Sequence, residues 1–313
     1  MSRPRIFIDG EAGTTGLQIR TRLEGRDDLQ LVHIDPERRK DDAERKRILN
    51  DVDLAILCLP DDAARAAVAL VDNPTTRILD ASTAYRVHPD WTYGFPELSP
   101  GQADRIAASA RVSNPGCYPT GALGLLRPLI DAGLVPTDFP VTIQAISGYS
   151  GGGRGMIEAY ELTGPGASAA AHKMYALELS HKHVREIQAH AHLDFKPLFT
   201  PAVGRFRQGM LVQIPLHLRT LPGDVSGRAI HQALVAHYAG THHVRVMPLD
   251  PRPVNDLEPE ALNDTNDLEL FVFENAAERQ VLLVARLDNL GKGASGAAVQ
   301  NLELMLGLEP RRA

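Results

Sequence analysis

The chain opens on a short apolar run, Arg5-Ile6-Phe7-Ile8-Asp9, that breaks at once into Gly10-Glu11-Ala12-Gly13-Thr14-Thr15-Gly16. A strand that turns on glycines into a helix is the start of a βαβ unit, which commits its sheet to parallel strands covered by helices. The alternation continues: Leu29 to Asp35, Leu54 to Leu59 and Thr76 to Asp80 read as strands, and Gly16 to Glu24 and the Ala-rich Asp61 to Val71 as helices. A doubly wound parallel sheet is the expectation for the first hundred residues.

After Cys117 the texture changes. Val141 to Ser147, Gly209 to Leu218 and Leu268 to Asp288 are longer runs rich in β-branched residues, and Glu274-Asn275 is placed to turn a hairpin inside the last. An antiparallel or mixed sheet is expected there. Ala294 to Leu306 returns to helical spacing, with Ala298, Leu302 and Met305 on one face. A length of 313 residues suits about two domains.

Lys and Arg total 33 against 39 Asp and Glu, a net charge of −6 with no basic stripe, so a nucleic-acid partner is not expected. The apolar run at the N-terminus stops after Ile8, too short for a signal-peptide core. No run reaches the roughly 18 apolar residues of a membrane helix. A cytoplasmic protein is expected, and two cysteines, Cys58 and Cys117, do not make a disulfide framework.

The Gly10 to Gly16 segment suits a phosphate: glycines allow close backbone approach, and the helix behind them presents unpaired N–H groups and a positive dipole end. Its spacing is G-x-x-G-x-x-G, so a plain strand-to-helix turn is the competing reading. The end of the second strand reads His33-Ile34-Asp35-Pro36-Glu37-Arg38-Arg39-Lys40 and leaves two readings open. Asp35 could meet a ribose hydroxyl, or the basic triplet a 2′-phosphate; equally, the triplet could be a solvated run balanced by Asp41, Asp42 and Glu44.

Cys117 follows the turn-forming Asn114-Pro115-Gly116 and precedes Tyr118-Pro119-Thr120-Gly121 and a largely apolar run to Ile130, which reads as a helix that Pro128 kinks or ends. A thiol at a helix N-terminus has its thiolate stabilised, as a nucleophile requires. Cys58 sits in the strand pattern Leu54 to Leu59 and reads as core. An acyl intermediate on sulfur also needs a proton donor and acceptor, and His181-Lys182-His183-Val184-Arg185-Glu186 supplies candidates. On a helix His181 and His183 lie about 200° apart. His183 and Glu186 share a face, so Glu186 could orient the His183 ring. No cysteine pair and no glutamate-backed His-x-x-x-His face accompanies them, and no metal is expected. Ser147-Gly148-Tyr149-Ser150-Gly151-Gly152-Gly153-Arg154-Gly155 is too glycine-rich for regular structure; its N–H groups and hydroxyls could hold an anion with Arg154 as charge partner.

Together with Tyr93-Gly94-Phe95-Pro96-Glu97-Leu98 and Asp288-Asn289-Leu290-Gly291-Lys292-Gly293-Ala294-Ser295-Gly296, these blocks resemble, nearly end to end, the short type of the N-acetyl-γ-glutamyl-phosphate reductase family, of the semialdehyde dehydrogenase superfamily. The match departs at Glu11-Ala12 and at Arg185, neither a proposed catalytic atom. The resemblance implies a Rossmann-type nucleotide-binding domain (1–116), an α+β catalytic and oligomerisation domain (117–290) and a C-terminal helix (291–313) returning to the first. It implies NADPH, held by Gly10, Gly13, Thr14, Thr15, Gly16, Ser82, Asn289, Gly291 and Lys292, with Arg38 or Arg39 on the 2′-phosphate. It implies Cys117 as nucleophile, His183 or His181 as acid–base with Glu186 beside it, and Asn114 as an oxyanion donor. Ser147, Tyr149, Ser150 and Arg154 would face an acyl phosphate. A homo-oligomer, dimer or tetramer, is also implied. A superfamily relative acting on aspartyl phosphate or a carrier-linked aminoadipyl phosphate would use the same chemistry, and a regulatory protein that kept the fold would lack a reason to keep Cys117.

Overall fold

The structure, a computed structural model, describes residues 3–164, 166–249 and 256–310. The chain divides into two compact units: residues 1–96, 101–115 and 294–313 form the first, and residues 97–100 and 116–293 the second. Against the expected boundaries, the segment 97–100 belongs to the second unit and the return to the first comes at Ala294.

The first unit is a parallel sheet. Strands β1 (Arg5–Asp9), β2 (Gln30–Val32), β3 (Leu54–Leu57), β4 (Arg77–Asp80), β5 (Thr92–Tyr93) and β6 (Arg111–Ser113) lie in the order β2-β1-β3-β4-β6-β5. Alternate residues of each strand serve opposite faces. Ile6, Ile8, Leu54, Ile56 and Leu79 pack with Ile19 and Leu23 of α1 (Thr14–Leu23) and with Ala298, Leu302 and Met305 of the C-terminal helix, Gly296–Leu306. Phe7, Ala55, Leu57 and Ile78 pack on the other face with Ile48 and Leu49 of α2 (Asp42–Leu49) and Ala67 of α3 (Asp61–Ala69). Both faces are covered, so the strands are apolar without alternation. The helix α4 (Gln102–Ala108) contributes Ile106 to the first face.

One expectation shifts here. The second strand stops at Val32 rather than Asp35, because Asp35 Oδ1 accepts the Glu37 N–H in a turn before Pro36 can extend the ladder. Residues 36–40, with the basic triplet, form a turn, and α2 follows it, capped by Asp41, whose carboxylate accepts from the Ala43 and Glu44 amides.

The second unit holds a seven-stranded mixed sheet. Strands β7 (Thr142–Gly148), β8 (His172–Met174), β9 (Leu198–Gly204), β10 (Met210–His217), β11 (Val244–Val246), β12 (Leu268–Asn275) and β13 (Gln280–Leu287) lie in the order β11-β12-β13-β10-β7-β9-β8. β7 runs parallel to β9 and β11 to β12; the remaining pairs are antiparallel. Helix α5 (Cys117–Asp131) lies on this sheet so closely that a Cβ on Gly121 would meet Val212 and Ala285, and one on Gly124 would meet Leu268. Helices α7 (His183–Ala191) and α8 (Gly227–His237) pack beside it.

Four details differ from the sequence reading. Pro128 does not end α5, which continues to Asp131; the Gly124 carbonyl that the missing Pro128 N–H leaves unpaired accepts instead from the Tyr238 hydroxyl at 2.8 Å. The last hairpin turns at 276–279, with Asn275 still paired to Gln280 and its side chain accepting from the Glu278 amide. The glycine-rich loop is regular: a tight turn, Tyr149–Gly152, leads into α6 (Gly153–Glu161). The C-terminal helix starts at Gly296, after a wide turn over Gly291–Ser295.

Candidate active site

In the first unit, Gly10 has φ +91° and lies so close to the Cys58 carbonyl that no side chain fits. The Gly13 amide donates to the Gly10 carbonyl at 3.0 Å, and Gly16 packs on that same carbonyl. Helix α1 starts at Thr14 on Gly13, with no side-chain cap and no acidic residue in its first turn, so Gly10, Gly13, Thr14, Thr15 and Gly16 form a backbone cradle at a positive helix end. This suits a dinucleotide pyrophosphate. Beyond β2, Arg38 pairs with Asp41 at 2.8 Å and Glu44 at 3.0 Å, while Arg39 is exposed. Ser82, after β4, donates to Asp80 Oδ2 at 2.6 Å. Burial pushes the Asp80 carboxyl up to about 6, although Ser82 and Arg86 both favour its charged form. Asn114 donates its side-chain N–H to the Ala294 carbonyl at 2.9 Å and accepts from Asn301 at 3.1 Å.

The second unit carries Cys117, His181, His183 and Glu186. Cys117 is the first residue of α5, with Gly116 as its uncapped N-cap. Two hydrogen bonds fix the backbone ahead of it: the Gly116 N–H donates to Glu186 Oε1 at 2.8 Å, and the Thr120 hydroxyl donates to the Gly116 carbonyl at 2.9 Å. Glu186, buried on α7, therefore steadies the turn that presents the thiol.

His183 is the first residue of α7 and is buried; His181 lies just before the helix. Helical spacing does not extend back to His181, so the two histidines are not held about 200° apart. Their ring centroids are 4.7 Å apart and both rings pack on Tyr118. The His183 backbone N–H donates to His181 Nδ1 at 3.1 Å, which leaves the His181 proton on Nε2. Burial pulls His181 down to about 4, so that ring is neutral at physiological pH. Tyr118, buried and given no role by the sequence reading, joins these groups: its hydroxyl accepts from Tyr175 at 3.1 Å and its ring stands edge-on to Phe199. Its position directly after Cys117 is the signal that could have found it.

The anion-loop residues separate. Ser147 and Ser150 are buried, and Ser150 Oγ accepts from Asn289 Nδ2 at 3.0 Å. Tyr149 stacks on Tyr160 and donates to Glu161 at 3.4 Å, and exposed Arg154 pairs with Glu158 along α6. Asn289 Oδ1 also accepts the Gly209 N–H at 2.8 Å. Gly291 is pressed on the Thr265 carbonyl. The expectation put Lys292 at the cofactor; its ammonium lies buried between both carboxylate oxygens of Glu97, each at 2.9 Å.

Residues 15–106 match the family model for the semialdehyde dehydrogenase NAD-binding domain, and residues 117–289 that for the semialdehyde dehydrogenase dimerisation domain. An N-acetyl-gamma-glutamyl-phosphate reductase of Burkholderia ambifaria is 57% identical over 98% of both chains. N-acetyl-gamma-glutamyl-phosphate reductase 2 of Pseudomonas putida is 56% identical over the same share. The chain belongs to the N-acetyl-γ-glutamyl-phosphate reductase family. Among solved structures, aspartate semialdehyde dehydrogenase II of Vibrio cholerae covers 98% of this chain and 99% of its own, with TM-score 0.69 and 15% identity. Aspartate semialdehyde dehydrogenase of Candida albicans, solved with NADP, covers 97% and 99% with TM-score 0.63 at 16% identity. At those identities the likeness is one of fold, so the reductase family shares the semialdehyde dehydrogenase architecture of a parallel sheet and a mixed sheet.

Proposed function

We propose that the chain reduces N-acetyl-L-glutamyl 5-phosphate to N-acetyl-L-glutamate 5-semialdehyde and phosphate, as a cytoplasmic homo-oligomeric enzyme of arginine biosynthesis. The observation that carries this reading is Cys117 at the start of α5, its turn clamped by Glu186 and its unit bearing both histidines.

Cys117 thiolate attacks the acyl carbon, the bond from that carbon to the phosphate oxygen breaks, and phosphate leaves a thioester on sulfur. NADPH, when bound, supplies the hydride that takes the acyl group to the aldehyde level. The Gly10 to Gly16 cradle would hold its pyrophosphate and Arg38 or Arg39 its 2′-phosphate, with Ser82 among the residues that would bind it. His183 protonates the oxyanion of the thiohemiacetal and later removes that proton as the carbon–sulfur bond breaks, which releases the aldehyde and restores the thiolate. The Cys117 backbone N–H at the helix start stabilises the developing oxyanion. Asn114 would assist if its N–H exchanged the Ala294 carbonyl for the substrate. Neutral His181 holds the start of α7 and with it the His183 ring.

Phosphate-dependent NADP⁺ reduction tests the substrate. N-acetylglutamate 5-semialdehyde is expected to turn over at least about 10²-fold better than aspartate semialdehyde, since a site built to pair a substrate's polar groups rejects an analogue lacking them. A preference for the aspartyl compound would move the chain to another superfamily activity.

A further inference from the structure

The buried Lys292–Glu97 pair has no task in the reaction. Lys292 is 1% exposed, one of the largest fully buried side chains among the described residues, and Nζ is 2.9 Å from each Glu97 oxygen. Burial favours the neutral amine, and Glu97 opposes that. A buried pair of this kind contributes little net stability over an apolar pair of the same volume. What it adds is direction: an ammonium held by two oxygens cannot slide as two methylenes can.

The backbone that carries Lys292 touches the nucleophile. A Cβ on Gly293 would stand 2.7 Å from Cys117 Cβ and 3.2 Å from its Cα, so the Gly293 peptide is a wall against that side chain. Three restraints set the wall. Gly291 is seated on the Thr265 carbonyl, and the Gly293 N–H donates to the Asp288 carbonyl at 3.0 Å. The third is the Lys292 stem, tied at its far end to Glu97, whose own carbonyl accepts from His237 of α8 at 3.2 Å. We propose that the Lys292–Glu97 pair is a positioning strut for Cys117: it fixes the peptide at Gly293 against the β-carbon and so sets the direction in which the thiolate points. This rests on the reading of Cys117 as the nucleophile.

The test uses the full-length enzyme and the double variant E97L/K292M, which removes both charges and leaves no orphan ion. Thermal unfolding checks the fold, kcat and KM are measured separately, and alkylation of Cys117 by iodoacetamide is followed from pH 6 to 9. C117S serves as the labelling blank. A strut predicts unchanged KM values with kcat and alkylation rate both lowered roughly 10- to 100-fold, the loss that about 1 Å of misplacement gives a reacting group. K292R, which keeps a cation at the strut's end, should recover most of both. If the double variant does not fold, E97D, which keeps both charges and shortens the strut by one methylene, must lower both rates several-fold. Alkylation and kcat within twofold of wild type in the folded double variant, or in E97D, would overturn the proposal. So would a raised KM for NADPH with kcat and alkylation held, which would return Lys292 to the cofactor. Turnover by C117S would instead strike the nucleophile assignment and is read independently of the ratio.

Discussion

The two cysteines differ in what surrounds them. Both are half-buried, but the Cys58 thiol is pushed up to about 12 by burial and by Asp80 and Asp9. Cys117 heads a helix. Cys117→Ser should abolish turnover while NADPH still binds, and Cys58→Ala should lower stability by only about 1 kcal/mol with kcat unchanged. Steady-state rates beside cofactor titration check both, and an inactive but folded Cys58→Ala protein would exchange the assignments. Asp80 carries a pH signature. Its carboxyl holds its proton up to about 6 when folded against an ordinary 3.8, so between those values the folded state binds the extra proton and stability falls as pH rises. The span corresponds to about 3 kcal/mol. Asp80→Asn should therefore gain on wild type steadily from pH 4 to 6 and hold a constant difference above, in urea unfolding at each pH; a pH-independent difference refutes this. At the second strand, replacing Arg38 and Arg39 together by Ala should raise KM for NADPH and leave KM for NADH unchanged, because only the phosphorylated cofactor loses a charge-assisted contact. Equal weakening toward both would make the pair structural, in keeping with the hold of Asp41 and Glu44 on Arg38.

Helix α7 shows how an element can depend on a residue outside it. His181 Nδ1 accepts the first N–H of the helix, so His181→Ala should cost about 1 kcal/mol as a lost cap, whereas the amide oxygen of His181→Asn can still accept. His183→Asn should lower kcat by roughly 10²–10⁴, and His181→Asn by much less. Should His181→Asn prove the more severe in kcat at equal stability, the proton would travel through His181. Elements whose pattern is local were readable in advance: β1, β3 and β4 run apolar because both faces are covered, and α5 begins where Pro and Gly punctuate it. Elements set by a single distant group were not. The passage of α5 through Pro128 depends on Tyr238, more than a hundred residues away, and the hairpin turn beyond Asn275 depends on cross-strand register.

At the scale of the whole molecule, the first unit is assembled from three separate stretches of chain, the last being the C-terminal helix. Ala298, Leu302 and Met305 fill one face of the parallel sheet, Glu303 pairs with Arg26, and Asn301 donates to Asn114 and to the Gly94 carbonyl. A chain ending at Ser295 should therefore lose the first unit's cooperative unfolding and its NADPH binding together, measured by differential scanning calorimetry and cofactor titration. Retention of both would show that the six strands and four helices before Cys117 suffice without the returning helix. The sequence by itself determined the parallel sheet and the strand-to-helix glycine turn, and it pointed to Cys117 rather than Cys58 as the candidate nucleophile, because periodicity and turn chemistry are local and act within a few residues. That His181 and His183 lie together was decided by the tertiary structure, since helical spacing would have parted them. The tertiary structure alone decided which group each polar side chain meets: Glu186 on the Gly116 amide, Asn114 on Ala294 and Asn301, Asn289 on Gly209 and Ser150, and Lys292 on Glu97. Those pairings join residues up to 195 positions apart, and a buried donor or charge takes whichever partner packing brings within about 3 Å, a distance that no local pattern encodes.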